Sequence, residues 1–246
     1  YEIIFVFDDE DKNDLKFVKQ NLLKFKKKKL IINNKNLGVA KANNQGISKA
    51  LEDGCDQVLI INNDVEFEIA LIERLLHVQK EKNCSLVIPK MMYFDNPDYI
   101  WYAGSWFNKS KGYLPLHRGQ KQLDEGQFDE TVEVEYAPAC CLLAKKEVFE
   151  KVGMMNEDYF VYFDDTDFSY RVMKDGSFKM YYYPFVKFYH KVGSLTKSFN
   201  KVQERVYRGD FFLKQNIRNH IFYLKQIGGL FAYCFIFWFF FKNNIR

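Results

Sequence analysis

The chain has 246 residues, enough for one full α/β core with an appendage, and its aromatic share of 18% excludes a disordered polypeptide. A net charge of +4 is too mild to mark a nucleic-acid-binding protein. Five scattered cysteines without a Cys-x-x-Cys spacing favour neither a zinc site nor a disulfide framework, and fit a reducing compartment.

The sequence opens without Met, inside an apolar run over residues 2–7 that reads as a buried parallel strand ended by Asp8-Asp9. No signal peptide is visible, and more chain is expected ahead of it. Leu15, Val18, Leu22 and Leu23 recur at helical spacing between 14 and 28. A short strand over 30–32 leads into Asn33-Asn34-Lys35-Asn36, and Asn43 or Asn44 is expected to cap a helix reaching Glu52. The next elements are a strand at Gln57–Ile61, a helix over 68–82 and a strand over 85–89. This alternation predicts a mainly parallel sheet covered by helices.

Residues 91–130 break the pattern with Pro97, Gly104, Gly112, Pro115, Gly119 and Gly126, and irregularity of this kind inside a domain usually builds a binding surface. A half-buried strand over 131–136, a helix over 145–152, a helix capped by Asp164 or Asp165 and ended at Gly176, and strands over 178–183 and 185–189 complete the pass.

Two places carry chemistry. Asp164, Asp165 and Asp167 directly follow the aromatic run Phe160-Val161-Tyr162-Phe163, where ionised carboxylates are costly unless a cation or a substrate proton needs them. The strand Gln57–Ile61 runs straight into Asn62-Asn63-Asp64. Carboxylates at the ends of two apolar runs point to one shared site at the carboxyl edge of a sheet, and so to an enzyme. Asn36, Gly38, Lys41 and Asn44 lie at a strand-to-helix turn, where backbone amides meet phosphate, although capping would use the same residue types. Asp167 and Arg171 are spaced as a helical ion pair. Trp101, Tyr102 and Trp106 could stack on a sugar or simply pack.

In chain order, EIIFVFDD, NKNLGVAKANNQGISKAL, VLIINNDVEF, CCLLAKKEVFEKVG, YFVYFDDTDFSYRVMKDG and YYYPFVKFYHKVGS resemble a family 2 glycosyltransferase of the GT-A fold. The rhamnosyltransferase-like branch is most similar, through HRG at 117–119, EGQFDE at 125–130 and Arg218-Asn219. The resemblance implies a three-layer α/β/α domain with a mixed, mainly parallel sheet, lacking the family's usual first strand and helix. It also implies Asp165 as catalytic base, Asp164 and Trp101 on the acceptor side, and Asp64 with His190 holding Mg²⁺ or Mn²⁺. Asp8, Asn36, Gly38, Lys41, Asn44, Asn62 and Asn63 would then meet the nucleotide-sugar donor, with Asn62 standing where the family's Asp-x-Asp motif begins. dTDP-rhamnose or a UDP-sugar is the expected donor, and a glycan or lipid-linked hydroxyl the acceptor. A haloacid-dehalogenase-type phosphatase, from Asp165-Thr166-Asp167, and a non-catalytic membrane-associated binding module are the rival readings.

Residues 227–241 carry no charge and end in Phe235-Ile-Phe-Trp-Phe-Phe-Phe241, with Arg205, Arg208, Lys214, Arg218 and Lys225 upstream. A spanning helix needs about 20 apolar residues, so this stretch reads as an interfacial anchor or the start of a spanning helix, with a helix docked on the domain as the alternative. The expected organisation is a transferase domain over 1–200, divided near residue 90, and a membrane-associating tail over 201–246. Such a protein would sit on the cytoplasmic face of a membrane.

Overall fold

The computed structural model describes residues 1–8, 11–191 and 204–244. Residues 9–10, 192–203 and 245–246 are outside it, and with them the expected tail boundary near residue 200.

The first strand, β1 (Ile3–Phe7), pairs in parallel with β2 (Lys28–Ile32). The helix between them, α1 (Lys12–Leu22), starts earlier than its apolar spacing predicts because the Asp11 carboxylate accepts the Asn13 amide at 2.7 Å. It ends earlier too, since the lysine-rich stretch after Leu23 offers no apolar face. Helix α2 (Val39–Glu52) likewise begins before Asn43, with Gly38 at its cap, and packs Ile47 and Ala50 inward across both β1 and β3 (Gln57–Ile61).

The main sheet has the order β3, β10 (Cys141–Lys145), β5 (Leu86–Tyr93), β11 (Met180–His190), β4 (Val65–Phe67). It is mixed as expected, but the expectation of a mainly parallel sheet is corrected. The strand β10, an apolar Cys-Leu-Leu-Ala run too short to classify by periodicity, inserts antiparallel between β3 and β5. The short strands β4, β6 (Ile100–Tyr102) and β9 (Val132–Glu133) also pair antiparallel, leaving β5–β11 and β1–β2 as the parallel ladders among the described residues. Strand β11 runs through Pro184 unbroken, because a register shift between Tyr183 and Lys187 takes up the residue that has no amide to donate.

Helix α3 (Leu71–Glu81) lays Leu71, Leu75 and Val78 against β5 and β11, and α4 (Lys146–Val152) packs on β10. Each such buried aliphatic side chain contributes about 2 kcal/mol.

The segment expected to be irregular holds β6 and a hairpin of β7 (Ser105–Asn108) and β8 (Leu114–His117). It is tied down by Lys90 of β5, whose buried ammonium meets Asp124 at 2.9 Å and also Asp129. The Arg118 guanidinium lies over the rings of Trp106, Phe128 and Tyr182. The strand expected over 131–136 shrinks to two residues because the Glu135 and Tyr136 amides turn aside to the Ser105 carbonyl.

After α5 (Asp164–Asp175) and β11, the chain ends in a helical hairpin of α6 (Glu204–Ile227) and α7 (Gly229–Asn244), turned by Gly228 and Gly229 at positive φ. Among the described residues no helix is long and apolar enough to cross a membrane. Helix α6 is docked on the domain, burying Asn219, Tyr223 and Leu224. Helix α7 buries Ala232 and exposes Leu230, Tyr233, Phe237, Trp238 and Phe241.

Replacing Lys90 by Ala strands two carboxylates against the sheet. The expected loss is about 3 kcal/mol, read as a lower urea midpoint at unchanged m-value.

Candidate active site

Strands β3, β5 and β11 run in one direction, and their carboxyl ends come together. Asp64 lies three residues beyond β3, and His190 is the last residue of β11. The tie between Lys191 N–H and Asp64 O at 2.9 Å, with β4 laid along β11, brings Asp64 Oδ1 within 3.5 Å of His190 Nε2. The other ring nitrogen of His190 is buried with no hydrogen-bond partner among the described residues. The Trp101 ring of β6 stands edge-on to His190 at 4.7 Å.

Among the described residues no group of three or more His, Cys, Asp or Glu forms a closed metal cage. A carboxylate and an imidazole side by side fit a divalent ion that keeps several positions for water and phosphate oxygens, the habit of Mg²⁺ and Mn²⁺.

Asp165 reaches the same edge from α5. Neither Asp164 nor Asp165 caps this helix, as was expected; Phe163 occupies the cap in the left-handed region, so both carboxylates fall in the first turn, where the helix dipole favours negative charge. One Asp165 oxygen accepts the Tyr136 hydroxyl at 2.8 Å and the Ala139 amide at 3.5 Å, and the other accepts the Thr166 hydroxyl at 3.3 Å. The segment from Tyr136 to Cys140 then enters β10 beside β3, where the Asn62 amide donates to the Cys140 carbonyl at 3.1 Å. Burial raises the Cys140 thiol far above its ordinary range, and the charges of Cys141, Asp165 and Asp64 add to the rise. One thiol therefore feels both candidate carboxylates.

The environments of the two adjacent acids differ. Burial, then the Asp165 charge, lift Asp164 well above the usual carboxylate range. Burial also raises Asp165, but the hydrogen bonds from Tyr136, Ala139 and Thr166 favour its charged form, with some help from His117. The hydrogen bond from the Tyr136 hydroxyl sets Asp165 apart from Asp164 and favours the charged form there. The expected acceptor contact of Asp164 has no open face here, since that residue is 4% exposed.

Asp167 is bonded to Arg171 at 2.8 Å, and Arg171 also donates to the Val152 and Met154 carbonyls. That pair is structural, as its spacing predicts, which removes the second carboxylate a phosphatase reading requires.

His117 and Tyr136 were not singled out as site residues. The His117 ring stacks on Tyr136 at 5.5 Å and meets the Trp101 ring edge-on at 5.4 Å, and burial lowers its pKa while the Asp165 charge opposes that. Only the tripeptide at 117–119 signalled it, because contacts between β6, β8 and the 136–140 segment are long-range. Trp101 is thus packed between two histidines at the edge of the site.

On the donor side, the Asp8 carboxylate accepts from Asn33 Nδ2 at 2.8 Å, and from the amides of Leu37 at 3.0 Å and Gly38 at 3.1 Å. Asn36 Oδ1 accepts the Gly38 amide at 2.9 Å. Both side chains shape the turn that starts α2. Lys41 is exposed and lies 3.6 Å from Glu157. Asn44, expected at the donor, is committed elsewhere, bonding Met155 through both its oxygen and its nitrogen and reaching Glu157 at 3.1 Å. Asn62 and the exposed Asn63 follow β3 directly.

A sequence model described as glycosyl transferase family 2 matches residues 1–153. The chain belongs to glycosyl transferase family 2. It is 26% identical over 123 residues to the low-salt glycan biosynthesis hexosyltransferase Agl10 of Haloferax volcanii, a match covering 49% of this chain and 38% of that protein. GalNAc-T7, in a structure with UDP, GalNAc and Mn²⁺, superposes with a TM-score of 0.60 at 14% identity over 77% of this chain and 37% of that one. Residues 1–349 of TarS from S. aureus give 0.53 at 14% identity over 74% of this chain and 51% of that one. These likenesses support the GT-A-like fold.

In this family 2 chain the turn at Gly38 is crossed by the segment that leads to Asp165. Val39 N–H donates to the Phe160 carbonyl at 2.8 Å, and a Cβ on Gly38, where φ is +89°, would stand 2.5 Å from that oxygen. Gly38→Ala is expected to cost about 2 kcal/mol or more, from left-handed strain and displacement of the crossing segment together. Urea unfolding checks the loss, and faster amide exchange over 158–163 marks its location.

Proposed function

We propose that this protein transfers a sugar from a nucleotide donor to a hydroxyl of a glycan or lipid-linked acceptor, with inversion at the anomeric carbon. The observation that carries the reading is the 136–140 segment, which holds Asp165 through Tyr136 and, four residues on, meets through Cys140 the end of β3, beyond which Asp64 lies beside His190 of β11.

The acceptor oxygen bonds to the anomeric carbon on the face opposite the diphosphate, Asp165 takes the hydroxyl proton, and the diphosphate leaves with the electrons of the broken bond. Asp64 and His190 would hold Mg²⁺ or Mn²⁺, which when bound offsets the charge growing on the leaving diphosphate. Tyr136, Ala139 and Thr166 keep Asp165 charged and aimed. Trp101 offers an apolar wall where a sugar ring could rest.

The motifs at 117–119, 125–130 and 218–219 favour dTDP-rhamnose as donor, and the UDP bound in the GalNAc-T7 structure keeps UDP-sugars beside it.

The exposed aromatic face of α7, beside Lys214, Arg218 and Lys225 on α6, supports association with the cytoplasmic face of a membrane. The side chains of Arg205 and Arg208, also expected to meet headgroups, are outside those described, and so is Lys201. Removing α7 by ending the chain at Ile227 leaves the docked face of α6 in place. It is expected to abolish flotation with anionic vesicles, and equal recovery of both forms would overturn the anchor.

Asp165→Asn keeps the shape and removes the base. Transfer should fall on the order of a thousandfold while calorimetric binding of UDP or dTDP with Mn²⁺ persists. Asp64→Ala should instead weaken that binding, and chelation with EDTA should stop transfer until Mn²⁺ or Mg²⁺ is restored. Equal loss of nucleotide binding in both variants contradicts the assignment.

Activity requires ionised Asp165, so the rate falls as pH drops through its pKa. Tyr136→Phe removes a hydrogen bond to the charged form and raises that pKa. The acid limb of the kcat profile should therefore move to higher pH, and an unmoved limb would show that Tyr136 does not tune the base.

A further inference from the structure

Two consecutive residues before Asp164, Tyr162 and Phe163, sit in the left-handed region with φ of 65° and 72°. Side chains with a Cβ disfavour this region, and a run of two persists only where the surroundings impose it. The sheet does not supply the constraint: the segment over 158–163 belongs to no strand, and its contact with α2 falls at Phe160, before the strained pair.

The constraint comes from α6. Asn219 is fully buried, and its single side-chain nitrogen donates to two successive carbonyls, Val161 O at 2.8 Å and Tyr162 O at 2.9 Å. Its oxygen accepts from Arg218 at 3.0 Å, and Arg218 also reaches the Asp158 carbonyl at 3.4 Å. The next residue, His220, stacks on the Phe163 ring at 5.4 Å, and one turn on Tyr223 meets it at 5.7 Å. Phe222 stands edge-on to the buried Tyr159 ring at 5.2 Å. The short amide side chain is what the geometry requires: Asp has no donor, Ser has one, and Gln places its nitrogen a methylene further out.

We infer that Asn219 is a positioning residue for Asp165, and that the C-terminal hairpin sets the strained turn from which the base is aimed. With Phe163 held left-handed, its carbonyl accepts the Asp167 amide at 2.8 Å, and α5 starts with Asp165 directed at the Tyr136 hydroxyl. The inference rests on the reading of Asp165 as the base. It assigns a catalytic consequence to a side chain on a different element, beyond the stretch matched by the family model.

The test uses Asn219→Asp, which keeps the shape without donors, and Asn219→Ser as a milder variant with one donor. Tyr223→Phe serves as the control, since it keeps the ring and removes only the hydroxyl's bond to the Tyr113 carbonyl at 3.2 Å. For Asn219→Asp, amide exchange over 159–165 should rise while β5 stays protected. Its kcat should fall on the order of 100-fold, the scale of a small misplacement of a reacting group. The Kd for UDP or dTDP with Mn²⁺ should stay within roughly twofold, and Asn219→Ser should fall between this variant and the wild type. The control should match the wild type in exchange and rate. Unchanged exchange over 159–165, retained kcat, or parallel loss of kcat and nucleotide binding would each overturn the inference. If the wild-type protein transfers no sugar, that failure belongs to the proposed function, and the exchange pattern alone decides whether Asn219 holds the turn.

Discussion

A carboxylate can act as a base near neutral pH only if it is dry enough to want a proton and still charged when the substrate arrives. On the proposed reading of Asp165 as the base, its hydrogen bond with Tyr136 balances those demands. Burial raises Asp165, and the Tyr136 hydroxyl and the Ala139 and Thr166 backbone amides oppose that by favouring the charged form. Burial and the charge of its neighbour raise Asp164 as well, with backbone amides opposing the rise. Two identical side chains in sequence thus meet different surroundings. Tyr136 also starts the segment that enters β10, which couples the acid-bearing helix to the strand end carrying Asp64.

The covering elements add a second level of order. The segment over 158–163 passes across the start of α2, where Gly38 leaves room for the Phe160 carbonyl, and then under α6, where Asn219 holds two carbonyls. Met155, just upstream, is pinned by Asn44 through its amide and its carbonyl. Polar residues of α2 that look like phosphate-binding candidates are therefore partly occupied in fastening this crossing. Asp8 behaves in the same way, with its oxygens accepting from the turn it faces. A donor approaching this edge would meet the backbone that these side chains have arranged, more than the side chains themselves.

The C-terminal hairpin has two unlike faces. Helix α6 contributes buried polar and aromatic groups to the domain, so it is part of the fold. Helix α7 packs Phe231 on Tyr113 and Phe235 on His220 but keeps Tyr233, Phe237, Trp238 and Phe241 outward, with Trp238 half exposed and Phe237 more so.

Local pattern made much of this legible in the sequence. The first strand, the helix after the Asn-rich turn, Gln57–Ile61 with its polar ending, the Asp167–Arg171 pair and the helix stopped by Gly176 each follow from spacing and end chemistry that short segments carry within themselves. What only the tertiary structure decided depends on segments far apart in the chain. The antiparallel insertion of β10, the partners of Asn44, the Tyr136–Asp165 bond and the grip of Asn219 join residues 29 to 113 positions apart. Hydrophobic periodicity says which face of an element is buried, but the partner of a buried polar atom is settled only when the elements are packed, because the cost of leaving it unbonded is incurred there.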